Sequence, residues 1–294
     1  MPHHFLNISG EHRMSASSFT KTLFRAALVA SAVTLAAGCG PVVDRIGDSS
    51  FAPRIDPALA TAVASPTRTA ANVARDPYRH PAQTLAFFGV EPDDVVVEVS
   101  PGGGWYTEIL APYLAGRGTL YTVASDNGLA RIRTMQTSHL DRFGAVRFAN
   151  FPTDDLAKRV PAGSADVVLT FRNVHNWMMG DKPFADAAFA QMFAMLKPGG
   201  TLGVVDHRLP ESADIARERT SGYLKQSTVR RLAEAAGFEF VAASTINANP
   251  ADTADHADGV WALPPTLRGG DKDRARLMAI GESDRMTLKF RKPG

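Results

Sequence analysis

Apolar and polar positions alternate in blocks along most of this chain. Residues 95–100 form a β-branched run after the turn-like Glu91-Pro92-Asp93-Asp94, and 119–123 form another after Gly116-Arg117-Gly118. Runs at 145–149, 166–171, 202–206, 239–243 and 286–290 complete seven predicted strands. The run at 166–171 is apolar enough for burial on both faces. Helical spacing marks 107–114, 128–142, 184–196 and 228–236, with Phe189, Met192, Phe193 and Leu196 on one face of the third. Lys197-Pro198-Gly199-Gly200 stops that third helix. Ser227 is the expected N-cap of the fourth helix and Gly237 its end. Two short helices are expected in 57–75, meeting at Ser65-Pro66. Strand alternating with helix in this way predicts an α/β fold, a mostly parallel sheet with helices on both faces. Ligands of such sheets bind beyond the C-terminal strand ends, near the topological switch point. The chemistry is therefore sought after Val99, Val123, Phe171 and Val205.

The N-terminus has a different pattern. Residues 26–38 are an uncharged run of small and apolar side chains, with Lys21 and Arg25 just upstream. Such a run is too short to span a bilayer and fits a secretory signal. Met14 gives a more typical signal length, so residues 1–13 read as an over-long start. The run ends Leu35-Ala36-Ala37-Gly38-Cys39, which resembles the lipobox of bacterial lipoproteins, with Leu35 four places before the cysteine rather than three. The resemblance implies acylation of Cys39, and Gly40, where Asp would retain a lipoprotein at the inner membrane, favours the outer one. The expected organisation is a signal at 1–38, a lipid-anchored tether at 39–56 and one domain at 57–294. The expected location is the periplasmic side of the cell envelope. If the signal reading fails, the location is cytoplasmic.

Composition narrows the function. The chain has 294 residues, 45% hydrophobic and 21% charged, which excludes wholesale disorder. Its single cysteine, Cys39, excludes an intrachain disulfide and a cysteine-rich zinc site. Residues 1–38 hold three of the 32 basic residues and one of the 30 acidic ones, so 29 of each remain beyond them. That balance leaves no basic cluster for nucleic acid. No H-E-x-x-H or comparable spacing is present, so no metal site is expected.

The first strand leads into Glu98-Val99-Ser100-Pro101-Gly102-Gly103-Gly104-Trp105-Tyr106-Thr107. A glycine-rich turn between strand and helix lets backbone approach a ligand closely. No Gly-Lys-Ser/Thr follows, so it is not a P-loop, and Thr107 stands where a dinucleotide fingerprint has its third glycine.

Glu98-x-Ser100-x-Gly102-x-Gly104 resembles motif I of class I S-adenosylmethionine-dependent methyltransferases. Leu196-Lys197-Pro198-Gly199-Gly200 is similar to the segment before their fifth strand, and Ala165-Asp166-Val167-Val168 to their fourth. The likeness covers about residues 75–294. Phe171-Arg172-Asn173-Val174-His175-Asn176-Trp177 and the segment 282–290 resemble a little-characterised group of predicted methyltransferases within that superfamily. The resemblance implies a Rossmann-like seven-stranded sheet whose last strand is antiparallel, and S-adenosylmethionine as cofactor. It implies cofactor contacts from Glu98, Ser100, Gly102, Gly104 and Asn173. The acidic residue that usually ends the second strand falls at Ala124, and Asp126 is the expected substitute. Asp76-Pro77-Tyr78-Arg79-His80-Pro81 is expected to cap the cofactor pocket, with Tyr78 as a contact.

After the fourth strand come Arg172, His175 and Asn176, where the resemblance places the methyl acceptor. Histidine accepts a proton near neutral pH, so His175 is the candidate base, with Asn176 beside it. Arg172 would pair with a ligand carboxylate or with Asp206. The alternative for His175 is a hydrogen bond to loop backbone. Residues 247–270, with Trp261, form a long loop suited to shaping an acceptor pocket. The expected activity is methyl transfer to a small-molecule acceptor. The alternative is an envelope lipoprotein that keeps this fold as a ligand-binding or structural module. Nicotinamide-dependent oxidation is disfavoured by the incomplete glycine fingerprint and by Ala124.

Overall fold

The computed structural model describes residues 54–294. The signal, Cys39 and all but the end of the tether lie outside the described residues. Among the described residues, no helix is long and apolar enough to cross a membrane.

Seven strands form one sheet: β1 (Val95–Val99), β2 (Thr119–Ala124), β3 (Arg147–Asn150), β4 (Ala165–Phe171), β5 (Leu196–His207), β6 (Glu239–Ser244) and β7 (Arg285–Arg291). Their order is β3-β2-β1-β4-β5-β7-β6. The first five run parallel, and β7 lies antiparallel between β5 and β6. The switch point therefore falls between β1 and β4, where Val96–Val99 pairs with Val167–Thr170. This is the Rossmann-like seven-stranded architecture expected.

Helices cover both faces: α1 (Pro57–Val63), α2 (Ala70–Val73), α3 (Asp76–Arg79), α4 (Pro81–Phe88), α5 (Thr107–Leu114), α6 (Asp126–Ser138), α7 (Leu140–Phe143), α8 (Val174–Met178), α9 (Ala185–Met195), α10 (Gln226–Ala235) and α11 (Arg274–Ile280). Successive strand residues divide between two cores, because side chains alternate across a sheet. Val97, Val99 and Val168 pack with Phe189, Met192 and Trp177 on one face. Val96, Val167 and Leu169 pack with Phe88, Ile109 and Leu110 on the other. Strands that are apolar on both sides read as continuous runs, which is why β1 and β4 were recognisable. On β5, a Cβ at Gly203 would stand 2.7 Å from the Phe88 ring, so α4 lies directly on the sheet there.

Several boundaries differ from the expected ones. The helix expected at 128–142 starts two residues earlier, because the Ser125 hydroxyl accepts from the Gly128 N–H and caps it. It breaks at His139, before the short α7. The strand expected at 145–149 is displaced to β3. Lys197-Pro198-Gly199-Gly200 does follow the end of α9, but as extended chain: β5 begins at Leu196, and Lys197 reaches Asp166 at 2.6 Å. The N-cap of α10 is Lys225 rather than Ser227, whose hydroxyl donates instead to Glu211 at 2.6 Å. At the other end of α10 the Phe238 N–H donates to the Ala233 carbonyl, next to Gly237. Helices α4, α8 and α11 were not foreseen. They are only five to eight residues long, too short for a periodic pattern to stand out, and tertiary packing defines them.

Candidate active site

Two cavities open at the C-terminal ends of β1, β4 and β5, and they share one side chain, Arg172. The first has a volume of about 180 Å³. Its floor is the turn after β1. Ser100 (φ 53°), Gly102 (φ 55°) and Gly104 (φ 83°) all adopt left-handed backbone. Glycine does this freely, whereas a serine is strained by about 1–2 kcal/mol. Ser100 therefore keeps a glycine-like turn at a cost. A Cβ at Gly102 would meet nothing within 4 Å, so bare backbone faces the open space.

Glu98, at the penultimate position of β1, also lines this cavity. It is buried, and the Thr107 hydroxyl donates to one carboxylate oxygen at 2.6 Å. Burial outweighs that hydrogen bond and pushes Glu98 up to about 7. Tyr106 stacks on Phe171 with ring centroids 3.6 Å apart, which joins the head of α5 to the tip of β4.

The segment before β1 closes over this floor. Asn72, Arg75 and Arg79 line the cavity together with Trp105. The Trp105 indole N–H donates to the Asn72 carbonyl at 3.0 Å, and its ring lies beneath the Arg68 and Arg79 guanidinium groups. Arg68 forks onto Asp76 through two hydrogen bonds, which fixes the start of α3.

The second cavity, of about 200 Å³, is lined by Arg172, His175, His207, Trp261, Glu282 and Ser283 among others. His175, only 4% exposed, sits at the start of α8. Its Nδ1 lies 2.7 Å from Asp206 Oδ1, and its backbone N–H donates to Asp206 Oδ2. Asp206 also accepts the His207 backbone N–H. The carboxylate therefore fixes the ring, and Nε2 is the nitrogen left for the cavity. His207 Nδ1 lies 2.6 Å from the Ser283 hydroxyl. Burial, followed by His175 and Arg172, holds His207 well below the usual imidazole range, so it is neutral. The donor atoms of His175, Asp206 and His207 lie within 4.8 Å of one another. Asp206 is already engaged by His175, and arginines surround the trio, so a cation is opposed there.

The residues expected from sequence separate into groups. Glu98, Ser100, Gly102, Arg172 and Asn173 line the first cavity, and Arg172, His175 and Asn176 the second. Gly104 sits just behind the first, its Cβ direction blocked by Met135 and Ile132. Asn173 is committed to structure: its Nδ2 donates to the Val99 carbonyl at 3.0 Å and to the Thr170 hydroxyl at 3.1 Å. Two expectations need correcting. The Asp126 side chain is 76% exposed at the start of α6, with Asn150 and Arg133 as neighbours, and does not line the cavity. Tyr78 is 44% exposed and packs on Gly281, and only its backbone carbonyl serves the site, by accepting from Arg285. The capping segment instead presents Arg79, with Arg75 four residues before it. That helical interval was the available signal. Sequence reasoning misses Glu282 and Ser283 because only the fold brings the segment before β7 to the tip of β5, and Trp105 because only the fold lays Asn72, Arg68 and Arg79 over its ring.

No family model and no curated protein matches the chain. Solved structures do. A SAM-dependent methyltransferase from Aquifex aeolicus matches with a TM-score of 0.51 and 13% identity, over 81% of this chain and 99% of that one. The [4+2]-cyclase SpnF matches with a TM-score of 0.52 and 15% identity, over 80% and 91%. At such identities the likeness concerns the fold: this chain has the Rossmann-like fold of SAM-dependent methyltransferases. That a cyclase shares it underlines that the reaction must be argued from the site.

Proposed function

We propose that the protein binds S-adenosylmethionine in the first cavity and transfers its methyl group to a small-molecule acceptor in the second. The observation that carries this reading is the pairing of a bare-backbone glycine turn with a buried acid at the end of β1, opening toward a histidine–carboxylate pair at the ends of β4 and β5. The fit is specific. Gly102 leaves room above the turn, Glu98 offers a carboxylate to an ammonium group, and the buried Arg79 Nη2, unpartnered among the described residues, offers a donor to a carboxylate. Bound there by these residues, the cofactor would supply an electrophilic methyl group, its sulfur keeping the electron pair of the broken bond.

The chain's own residues position and deprotonate. Orientation of the two reactants is the main source of rate in such a transfer. As the acceptor's oxygen, nitrogen or sulfur bonds to carbon, its proton passes to His175 Nε2. Asp206 stabilises the resulting imidazolium at Nδ1. Isothermal titration with S-adenosylmethionine and S-adenosylhomocysteine tests the reading. Binding of both is expected, and absence of heat at millimolar ligand overturns it. We further propose that Cys39 is acylated and anchors the domain in the cell envelope. Mass spectrometry of the N-terminal peptide should show an acylated Cys39, and an unmodified peptide beginning upstream of it refutes this.

A further inference from the structure

Four guanidinium groups converge where the two cavities meet. Arg75, Arg79 and Arg285 all pair with the single carboxylate of Glu282. Burial would raise that carboxyl, but the three charges prevail and hold Glu282 down to about 2. The fourth, Arg172, forms no ion pair or side-chain hydrogen bond among the described residues. The nearby Asp206 is occupied by His175, as described above. Burial and then the charge of Arg285 lower Arg172 to about 10, and burial and then Arg172 lower Arg79 to about 9. The cluster therefore holds more positive charge than its own acids balance.

Arg172 is also held in an unusual way. Its φ is 61°, a left-handed conformation that costs a non-glycine residue about 1–2 kcal/mol. Its backbone N–H is fixed to the Val205 carbonyl at 2.7 Å. This strain turns the side chain out of the β4 line and into the wall of both cavities. Arg172 is half-buried and lines both cavities, and the ligand group that suits a guanidinium without a protein partner is a planar or tetrahedral oxyanion. The methyl donor does not supply enough negative charge. Its carboxylate is outnumbered by its own sulfonium and ammonium groups, and it adds net positive charge to a positive pocket.

We propose that the acceptor is anionic, with a carboxylate or phosphate group held by the Arg172 guanidinium at the junction of the cavities. This rests on the methyl-transfer reading for the word acceptor, though not for the anion site itself. Held by Arg172, the acceptor's nucleophilic atom extends toward His175, while Trp261, Pro264 and Pro265 form an apolar wall. Glu282 also lines this cavity, so anions with a second charge near it are disfavoured.

The test is calorimetric titration of the full protein with inorganic phosphate and with acetate at constant ionic strength. Each is run alone and with saturating S-adenosylhomocysteine or S-adenosylmethionine. One of the two anions should bind, and the preferred one identifies the head group. Binding should be tighter with S-adenosylmethionine than with S-adenosylhomocysteine, because only the former carries the sulfonium. Arg172→Gln should weaken anion binding by about tenfold or more, whereas the distant Arg230→Gln should leave it within about twofold. Arg172→Lys keeps the charge without the fork and should fall between them, which covers a Gln variant that fails to fold. Anion binding that is unchanged in Arg172→Gln, or absent while S-adenosylhomocysteine binds, overturns the proposal and spares the methyl-transfer reading. Anion binding through Arg172 without any cofactor binding does the reverse.

Discussion

Glu98→Gln should change how the stability of the protein depends on pH, by an amount that follows from its burial. The side chain is 2% exposed, and its carboxyl is raised from an ordinary 4.5 to about 7. Between those values the folded protein holds a proton that the unfolded chain has released. Stability then falls as pH rises through that window, and it levels off above about 7. Each pH unit between the unfolded and folded values corresponds to about 1.4 kcal/mol, so Glu98 alone removes about 3 kcal/mol between pH 4.5 and 7. Glu282 does not interfere. Its carboxyl is depressed to about 2, so its contribution is fully present above 4.5 and is lost only as pH falls below that. His207 acts in the opposite sense: buried neutral, it lets stability rise with pH up to its unfolded value of about 6.5.

The difference between wild type and Glu98→Gln cancels the His207 contribution and isolates Glu98. Gln can still accept from the Thr107 hydroxyl, so packing is preserved. Urea denaturation at half-unit pH steps should show two curves that diverge from pH 5 upward, the variant gaining on wild type by about 3 kcal/mol at pH 8. A cationic ligand above the turn should favour ionised Glu98. Affinity for S-adenosylmethionine should accordingly rise through pH 7 with proton release, and this rise should vanish in the variant. Parallel stability curves would refute the reasoning, because they would mean that Glu98 ionises as it does in water.

Other perturbations follow from the same geometry. Gly203→Ala drives a methyl group into the Phe88 ring and should destabilise by about 1–3 kcal/mol, read from the urea midpoint; no change would mean that α4 does not rest on β5. Ser100→Gly relieves left-handed strain and should be neutral to about 1 kcal/mol stabilising, whereas Ser100→Val should cost more than about 1 kcal/mol, both by thermal melting. Asp206→Asn leaves His175 without its carboxylate. The downfield His175 Nδ1–H proton resonance should disappear and stability should drop by about 1–3 kcal/mol, and a retained resonance would remove Asp206 from its orienting role. Trp105→Ala removes the platform beneath Arg68 and Arg79. It should weaken S-adenosylhomocysteine binding by about tenfold, while an unchanged affinity would show that the segment before β1 does not close the first cavity.

What the chain discloses in one dimension depends on where each residue's partners lie. β1 and β4 are buried on both faces, so their apolar runs stand out without any structural context, and the parallel sheet follows from them. The glycine turn is legible for a similar reason, since backbone dihedrals are a local demand and Gly102 and Gly104 meet it locally. Asp126 and Tyr78 misled because proximity in sequence to a strand end or a cap says nothing of side-chain direction. Asp126 occupies the first turn of α6 and points outward, and Tyr78 faces away from the helix side that Arg79 presents to the cavity. The charge cluster was the least legible feature. Arg75, Arg79, Arg172, Glu282 and Arg285 span more than two hundred positions of chain, and each looks like an ordinary solvated ion in its own neighbourhood. Only when β7 inserts beside β5 does Glu282 come under Arg75 and Arg79, and only then does it become visible that one carboxylate answers three guanidinium groups. In sequence, Arg172 is a candidate partner for Asp206 or for a ligand carboxylate. Because His175 occupies Asp206, the imbalance at Arg172 belongs to the folded site as a whole, and an anion is the simplest group that resolves it.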